Sequence, residues 1–175
     1  MRVLRYSLAA SLDGYIAGPN GEFDWILVDP EIDFAAMYAG VSALVMGRKS
    51  YDVFTATGGA VGGPLPVYVC SRSEPAGERD GVTFINDAVA GVRELKLAGD
   101  GKPIWLWGGG ELFRTLADAK LVDEVEVALI PIVLGSGLPL MAAPGPRVPL
   151  TLTGQRTYPS TGIVMLNYSV DHASA

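Results

Sequence analysis

Cysteine and histidine occur once each in this 175-residue sequence. A lone Cys70 excludes an internal disulfide and a thiolate zinc cluster, which fits a reducing compartment, so a cytoplasmic location is expected. Cys70 lies in an apolar run, where a core position is favoured over a nucleophile. His172 lies in a small polar tail that reads as a fraying end, so triads and metal sites built on histidine lack their partners and no metal is expected. Long apolar runs are missing too. The longest, Val127 to Leu134, falls far short of the roughly 20 residues of a membrane span, and Arg2 and Arg5 precede no signal-like apolar region. Neither an anchor nor a leader is expected. Basic residues are also scarce, 13 against 19 acids for a net charge of -6, and they are scattered. That argues against a nucleic-acid footprint, and any anionic ligand must be held locally.

The chain has enough apolar residues, 49%, to build one core, and it reads as a single domain over 1–175. Its organising stretch is Pro103 to Leu116. Ile104 to Trp107 form a short buried run, Gly108, Gly109 and Gly110 follow, and Leu112, Phe113 and Leu116 recur at helical spacing. This is a strand, a tight turn and a helix start, where unpaired N–H groups and the positive end of the dipole face whatever approaches. The turn either cradles a phosphate or only packs helix against strand. A second junction repeats the pattern. Ala43 to Met46 form a buried strand, and Gly47-Arg-Lys-Ser-Tyr51 begins the next helix with two cations and a hydroxyl. Two such junctions in one small domain favour a phosphate-bearing ligand.

Taken in order, Val3 to Ala10 read as a first strand, broken by Ser11-Leu-Asp-Gly14 and a long loop to Phe23 and Trp25, whose aromatics suit a packed lid. Asp33 opens a helical pattern with Phe34, Met37, Tyr38 and Val41 on one face, where an acid is by default a cap. An irregular Gly-rich stretch, Gly58 to Pro64, precedes a strand at Val67 to Cys70 and the turn Ser71-Arg72-Ser73, which suits a phosphate monoester or is an ordinary polar turn. Val82 to Ile85 reads as a strand and Asn86 as the cap of a helix with Val89, Val92, Leu95 and Leu97 apolar. Beyond Asp123 come three strand-like runs, Val125 to Leu134, Val148 to Gln155 and Gly162 to Val170, with turns at Gly135-Ser-Gly137 and Pro144-Gly-Pro146. Alternating β and α imply a parallel sheet with right-handed crossovers, and the last third adds antiparallel strands.

Together, Ala10-Ser-Leu-Asp-Gly-Tyr-Ile-Ala17, Trp25, Asp33, Met46-Gly-Arg-Lys-Ser-Tyr51, Cys70-Ser-Arg72, Gly108-Gly-Gly110 and Pro131-Ile-Val-Leu-Gly-Ser-Gly137 resemble the dihydrofolate reductase superfamily in order and spacing. The likeness covers nearly the whole chain. Ser11-Leu-Asp-Gly14, with Asp123-Glu124 leading to Pro131 and Leu134-Gly135, looks more like the reductase domain of the bacterial riboflavin-biosynthesis deaminase/reductase and its stand-alone relatives.

That resemblance implies a three-layer α/β/α fold around a mixed, mostly parallel sheet, and an NADPH-dependent reductase moving hydride to a C=N or C=O carbon of a small heterocyclic or sugar-derived substrate. The riboflavin intermediate 5-amino-6-(5-phosphoribosylamino)uracil is one candidate. Dihydrofolate reduction and dinucleotide binding without turnover are the alternatives. Main-chain groups of Ala9 and Ile16 would meet the nicotinamide. Gly47, Arg48, Lys49 and Ser50, with Gly108, Gly109, Gly110, Glu111 and Leu112, would hold the pyrophosphate side, and Ser71 and Arg72 the adenosine 2′-phosphate. Glu111 stands where dihydrofolate reductases often place an Arg, so NADPH preference would rest on Arg48, Lys49 and Arg72. Asp33 falls at the family's catalytic acid, beside its reading as a cap, while Trp25 and Tyr51 would line the substrate pocket. Residues 34 to 47 supply no Arg for a glutamate tail, and the deaminase domain and its reductase's Asp-Asn-Pro run are missing. The likeness also implies a cis Gly108-Gly109 bond and, with the apolar strand Ile163 to Leu166 needing cover, a homodimer.

Overall fold

A computed structural model describes residues 1–58, 65–99 and 101–172. Most of the Gly58 to Pro64 stretch lies outside them. In chain order the elements are β1 (Leu4–Ser11), β2 (Tyr15–Ala17), α1 (Phe34–Ala39), β3 (Ala43–Gly47), α2 (Arg48–Ala56), β4 (Val67–Cys70), β5 (Gly77–Arg79) and β6 (Val82–Ile85). They continue as α3 (Ala88–Leu97), β7 (Ile104–Gly108), α4 (Gly110–Asp118), β8 (Glu124–Ile130), β9 (Leu138–Pro139), β10 (Leu150–Tyr158) and β11 (Ile163–Val170). Among the described residues no helix is long and apolar enough to cross a membrane.

The main sheet runs β10-β11-β8-β1-β7-β3-β4-β6-β5, and β2 pairs with β9 in a small ribbon of its own. The six strands from β8 to β6 are mutually parallel, whereas β11, β10 and β5 are antiparallel to their neighbours. Two expectations therefore need correcting. The run after Asp123 is not antiparallel at first, because β8 returns parallel to β1. The strand at Ile163 to Leu166 is not an edge either, since β11 is bonded on both sides and the exposed edge is β10.

Period-2 alternation divides the sheet into two faces. Ala43, Val45, Ile104 and Leu106 pack with Val92 of α3 and Leu112, Phe113 and Leu116 of α4. Leu44, Met46, Val67, Val69 and Trp105 turn the other way, against Phe54 of α2 and Met37 of α1. The result is the expected three-layer α/β/α domain. Smaller readings fail for local reasons. Asp87, not Asn86, caps α3, its carboxylate accepting from Ala90 N, while the Asn86 amide is spent on the carbonyls of Ser71 and Glu74. Leu97 points to solvent. Helix α1 is cut to one and a half turns by Gly40, so Phe34 and Tyr38 stay largely exposed and Val41 is buried only after the helix has ended.

The Glu22 to Asp33 excursion is clamped to the β10–β11 turn by one buried acid. Asp29 accepts hydrogen bonds from the hydroxyls of Ser160 and Thr161 and from Glu31 N. The Ser160 hydroxyl above all, then the Glu31 N–H, holds its carboxyl below the usual range. A depressed folded-state pKa gives stability that is present above the unfolded value of about 3.9 and is lost as pH falls through the folded one. Asp29→Asn should therefore lower the urea midpoint at pH 7, with the gap to wild type closing below about pH 4. A gap that does not change with pH would remove the charge from this role.

Candidate active and cofactor site

The sheet's direction of winding reverses between β7 and β3. From β3 the chain crosses through α2 to β4 on one side, and from β7 it crosses through α4 over β1 to β8 on the other. Right-handed crossovers leaving in opposite directions put the two helices on opposite faces and open a crevice where their first turns meet, outside the carboxyl ends of the strands. Both helices begin at an extended glycine, Gly47 and Gly109, with no side-chain cap. Their first-turn N–H groups are thus left for a ligand. The two starts are neighbours: a Cβ on Gly108 or Gly109 would meet the Ser50 hydroxyl at 3.1 or 3.4 Å. The Gly108–Gly109 bond is cis.

These residues fit a dinucleotide pyrophosphate, because two helix N-termini without side-chain caps lie side by side. Gly47, Ser50, Gly108, Gly109 and the first turn of α4 come together here, while Arg48 and Lys49 lie on the first turn of α2. Leu112 is buried against the core, so only its backbone can face a ligand, and Glu111 is exposed in the first turn of α4. Gly110 does something else. A Cβ there would sit 2.6 Å from the Pro139 carbonyl oxygen, so its bareness admits the 138–142 backbone. Ala9 lies on β1 opposite Ala128 of β8, beyond the Leu4 to Tyr6 stretch that pairs with β7, and Ile16 lies in β2 between Tyr15 and Ala17, the two residues that pair with β9.

One strand further along, β4 ends beside the start of α2, Gly47 being opposite Cys70. Burial pushes the Cys70 thiol up to about 12, which suits its place beside the core. Ser71 is buried, and its hydroxyl accepts from the N–H groups of Ser73 and Glu74. It shapes the turn, and Arg72, like Lys49 exposed and without an ion pair to a described residue, is a cation available to an anion. Arg48 is engaged by Glu74 at 2.8 Å and Asp52 at 3.0 Å.

Asp33 caps α1, its Oδ1 accepting from Ala36 N at 2.8 Å, and its second oxygen has no hydrogen-bond partner among the described residues. The predicted aromatics part company. Tyr51 packs on the α2 face against Phe84, centroids 5.9 Å apart, whereas Trp25 bonds Glu22 O and packs with Ile130, Tyr158 and Ile163.

Two groups escaped sequence reasoning. Asp13 accepts from the Ser11 hydroxyl and from Leu134 N and Gly135 N, at 3.1 and 2.7 Å, tying together the loops after β1 and β8; the Ser11 bond chiefly holds it below the usual carboxyl range. The other is a polar row, Ser7, Glu126 and Asn167, lying side by side across β1, β8 and β11. Ser7 donates to Glu126 at 2.6 Å, and Asn167 has a buried amide oxygen without a partner among the described residues. With Arg5, Glu124 and Thr153 it lines a cavity of about 230 Å³. The alternation Glu124-Val-Glu-Val127 was the available signal, since a strand that buries every second residue turns its acids to the opposite face.

The model of the RibD C-terminal domain matches residues 2–164. The chain belongs to that family. It is 34% identical to the Bacillus subtilis protein YyaP, over 92% of this chain and 91% of that one. A putative riboflavin biosynthesis protein from Shewanella sp. PV-4 superposes with a TM-score of 0.80 at 25% identity, covering 98% of this chain and 100% of that one. Enterococcus faecalis dihydrofolate reductase, solved with NADP(H), follows at 0.70 and 16%, covering 97% and 96%, and shows the shared fold. This RibD C-terminal domain thus has the dihydrofolate reductase fold.

The glycines of the turn divide into two tests. Gly110→Ala forces a methyl onto backbone and should cost about 1–3 kcal/mol of stability, read as a fall of several degrees in Tm. Gly109→Ala, whose Cβ meets only a hydroxyl, should keep its Tm but lose dinucleotide binding, read by tryptophan fluorescence. Undiminished binding by Gly109→Ala would return the turn to a packing role.

Proposed function

We propose that this chain is an NAD(P)H-dependent reductase, with NADPH the expected cofactor, acting on a C=N or C=O carbon of a small heterocyclic or sugar-derived substrate. The single observation that carries the reading is the meeting of two uncapped helix starts at the reversal point of the sheet. Family membership supports the reaction class. Bound there, the cofactor would supply the hydride.

The chain's own part is to bind, orient and keep the site dry. First-turn N–H groups of α2 and α4 hold the pyrophosphate, Arg72 reaches the adenosine end, and main-chain groups of Ala9 and Ile16 orient the nicotinamide. Two residues down β1 from Ala9, the Ser7, Glu126 and Asn167 row offers acceptors to a substrate edge rich in N–H groups. Such an edge belongs to pyrimidines and pterins, and 5-amino-6-(5-phosphoribosylamino)uracil, named for the reductase of a Thermotoga maritima structure of the same fold, is the first to try. Asp33 would donate the proton. The competing reading, dinucleotide binding without turnover, draws on the cap geometry of Asp33, which fully accounts for that residue without chemistry.

One variant separates them. Asn caps a helix as well as Asp does, so Asp33→Asn should keep its Tm while substrate-dependent NADPH oxidation falls by about 10²-fold or more. Oxidation by wild type must first be found by screening aminouracils, pterins and simple imines. If no substrate is oxidised although NADPH binds, the binding module stands; if Asp33→Asn turns over normally, Asp33 is only a cap.

We also propose a homodimer covering the exposed edge of β10, which carries Leu150 and Leu152. Sedimentation at micromolar concentration should show twice 18.4 kDa, and a lone 18.4 kDa species would refute it.

A further inference from the structure

At the adenosine end of the crevice one carboxylate sits between two guanidinium groups. Glu74 Oε1 lies 2.8 Å from Arg48 Nη1, and Oε2 lies 3.6 Å from Arg79 Nη2. The arrangement is built. The Ser71 hydroxyl accepts from Glu74 N at 3.2 Å, and the Asn86 amide donates to Ser71 O at 2.7 Å and to Glu74 O at 2.6 Å. Arg79 is held in turn by the Phe84 ring, 4.2 Å from its Cζ, and by the Pro75 carbonyl. Arg48, one residue into α2, has its remaining charge met by Asp52.

A carboxylate at this position acts on the two nicotinamide cofactors in opposite ways. It accepts a hydrogen bond from a ribose 2′-hydroxyl, and it repels a 2′-phosphate while occupying the arginine that would otherwise bind one. We infer that Glu74 sets the cofactor choice of this chain by holding Arg48 away from the 2′-phosphate, so that NADPH is favoured over NADH only through Lys49 and Arg72, and only weakly. The inference rests on reading the crevice as a dinucleotide site. A neutral isostere would free Arg48 for a charge-assisted contact without disturbing the turn, because the bonds that shape residues 71–74 are made by the Glu74 backbone.

The test is direct titration of NADPH and NADH, by tryptophan quenching and calorimetry, against wild type and Glu74→Gln, with 2′,5′-ADP and 5′-ADP as probes of the adenosine end alone. Wild type should bind NADPH within about tenfold of NADH, and Glu74→Gln should widen that preference by a further factor of about ten through tighter NADPH. Binding of 2′,5′-ADP and 5′-ADP to wild type with similar affinity supports the same conclusion even if the variant does not fold. A hundredfold wild-type preference for 2′,5′-ADP, or a Glu74→Gln protein that binds both cofactors with an unchanged ratio, would overturn it and leave the crevice assignment standing. A wild-type protein that binds neither cofactor at millimolar concentration would remove the crevice assignment and this inference together.

Discussion

Two right-handed crossovers leave adjacent parallel strands in opposite directions, and the rest of the molecule depends on that divergence. Because β3 feeds α2 on one face and β7 feeds α4 on the other, the two helices lie apart and come together at their starts. Their meeting point needs bare backbone for a reason that differs residue by residue. Gly47 and Gly109 start helices without a cap, so their donors stay unspent. Gly110 is bare because the 138–142 segment passes within contact of it, and that segment is fixed from below by the Tyr6 hydroxyl, which donates to Leu140 O at 2.7 Å. Burial against Phe113 pushes the Tyr6 phenol upward, so this bond keeps its proton across the physiological range. One strand-turn-helix unit therefore combines unspent donors with close packing.

The long excursions are pinned by polar groups as well as by apolar packing, Trp25, Ile26, Ile32 and Ile132 lying against Ile130, Tyr158 and Ile163. Residues 12 to 33 and 131 to 149 carry little secondary structure, and each is anchored by a carboxylate reading backbone or hydroxyl donors, Asp13 at Leu134 and Gly135, Asp29 at Ser160 and Thr161. Such anchors are directional, so they fix loop geometry where a hydrophobic contact would allow sliding. Loops positioned this way over a rigid sheet are where binding residues are usually found. Here they frame the end of β1 that faces the crevice.

What could be read from the sequence was local. The apolar runs of β3, β4 and β7, the glycines behind two of them and the helical spacing of Leu112, Phe113 and Leu116 all lie within a few residues of one another, and each element formed where its pattern lay. Strand order did not follow from such patterns. Nothing in Val125 to Ile130 distinguishes a parallel neighbour from an antiparallel one, and β11 reads as an edge until β10 is seen to cover it. Caps failed by one place because Asn86 and Asp87 are both good capping residues, and the choice was made by a carbonyl pair at Ser71 and Glu74 that competes for the Asn86 amide. Arg48 was read as a free cation for a related reason. Its partner Glu74 lies 26 residues away and arrives only when β4 pairs with β3.

On the proposed function, an acidic chain binding a polyanion would have to solve the problem locally, and the architecture offers a way to do so with few formal charges. Each helix N-terminus contributes the equivalent of about half a positive charge without a side chain to desolvate or order, so two of them approach one full charge at the pyrophosphate. The net charge of -6 then matters little there, since exposed acids beyond a Debye length of about 8 Å are screened at physiological ionic strength. The charges near the two helix starts partly cancel: Arg48 and Arg79 against Glu74, Arg48 again against Asp52, with Lys49, Arg72 and Glu111 outside these pairs. On the proposed function, backbone dipoles would hold the part common to every dinucleotide, and side-chain charges would handle the one group by which dinucleotides differ. Affinity and choice would then be carried by different atoms, so that a change at Glu74 would alter the second with little effect on the first.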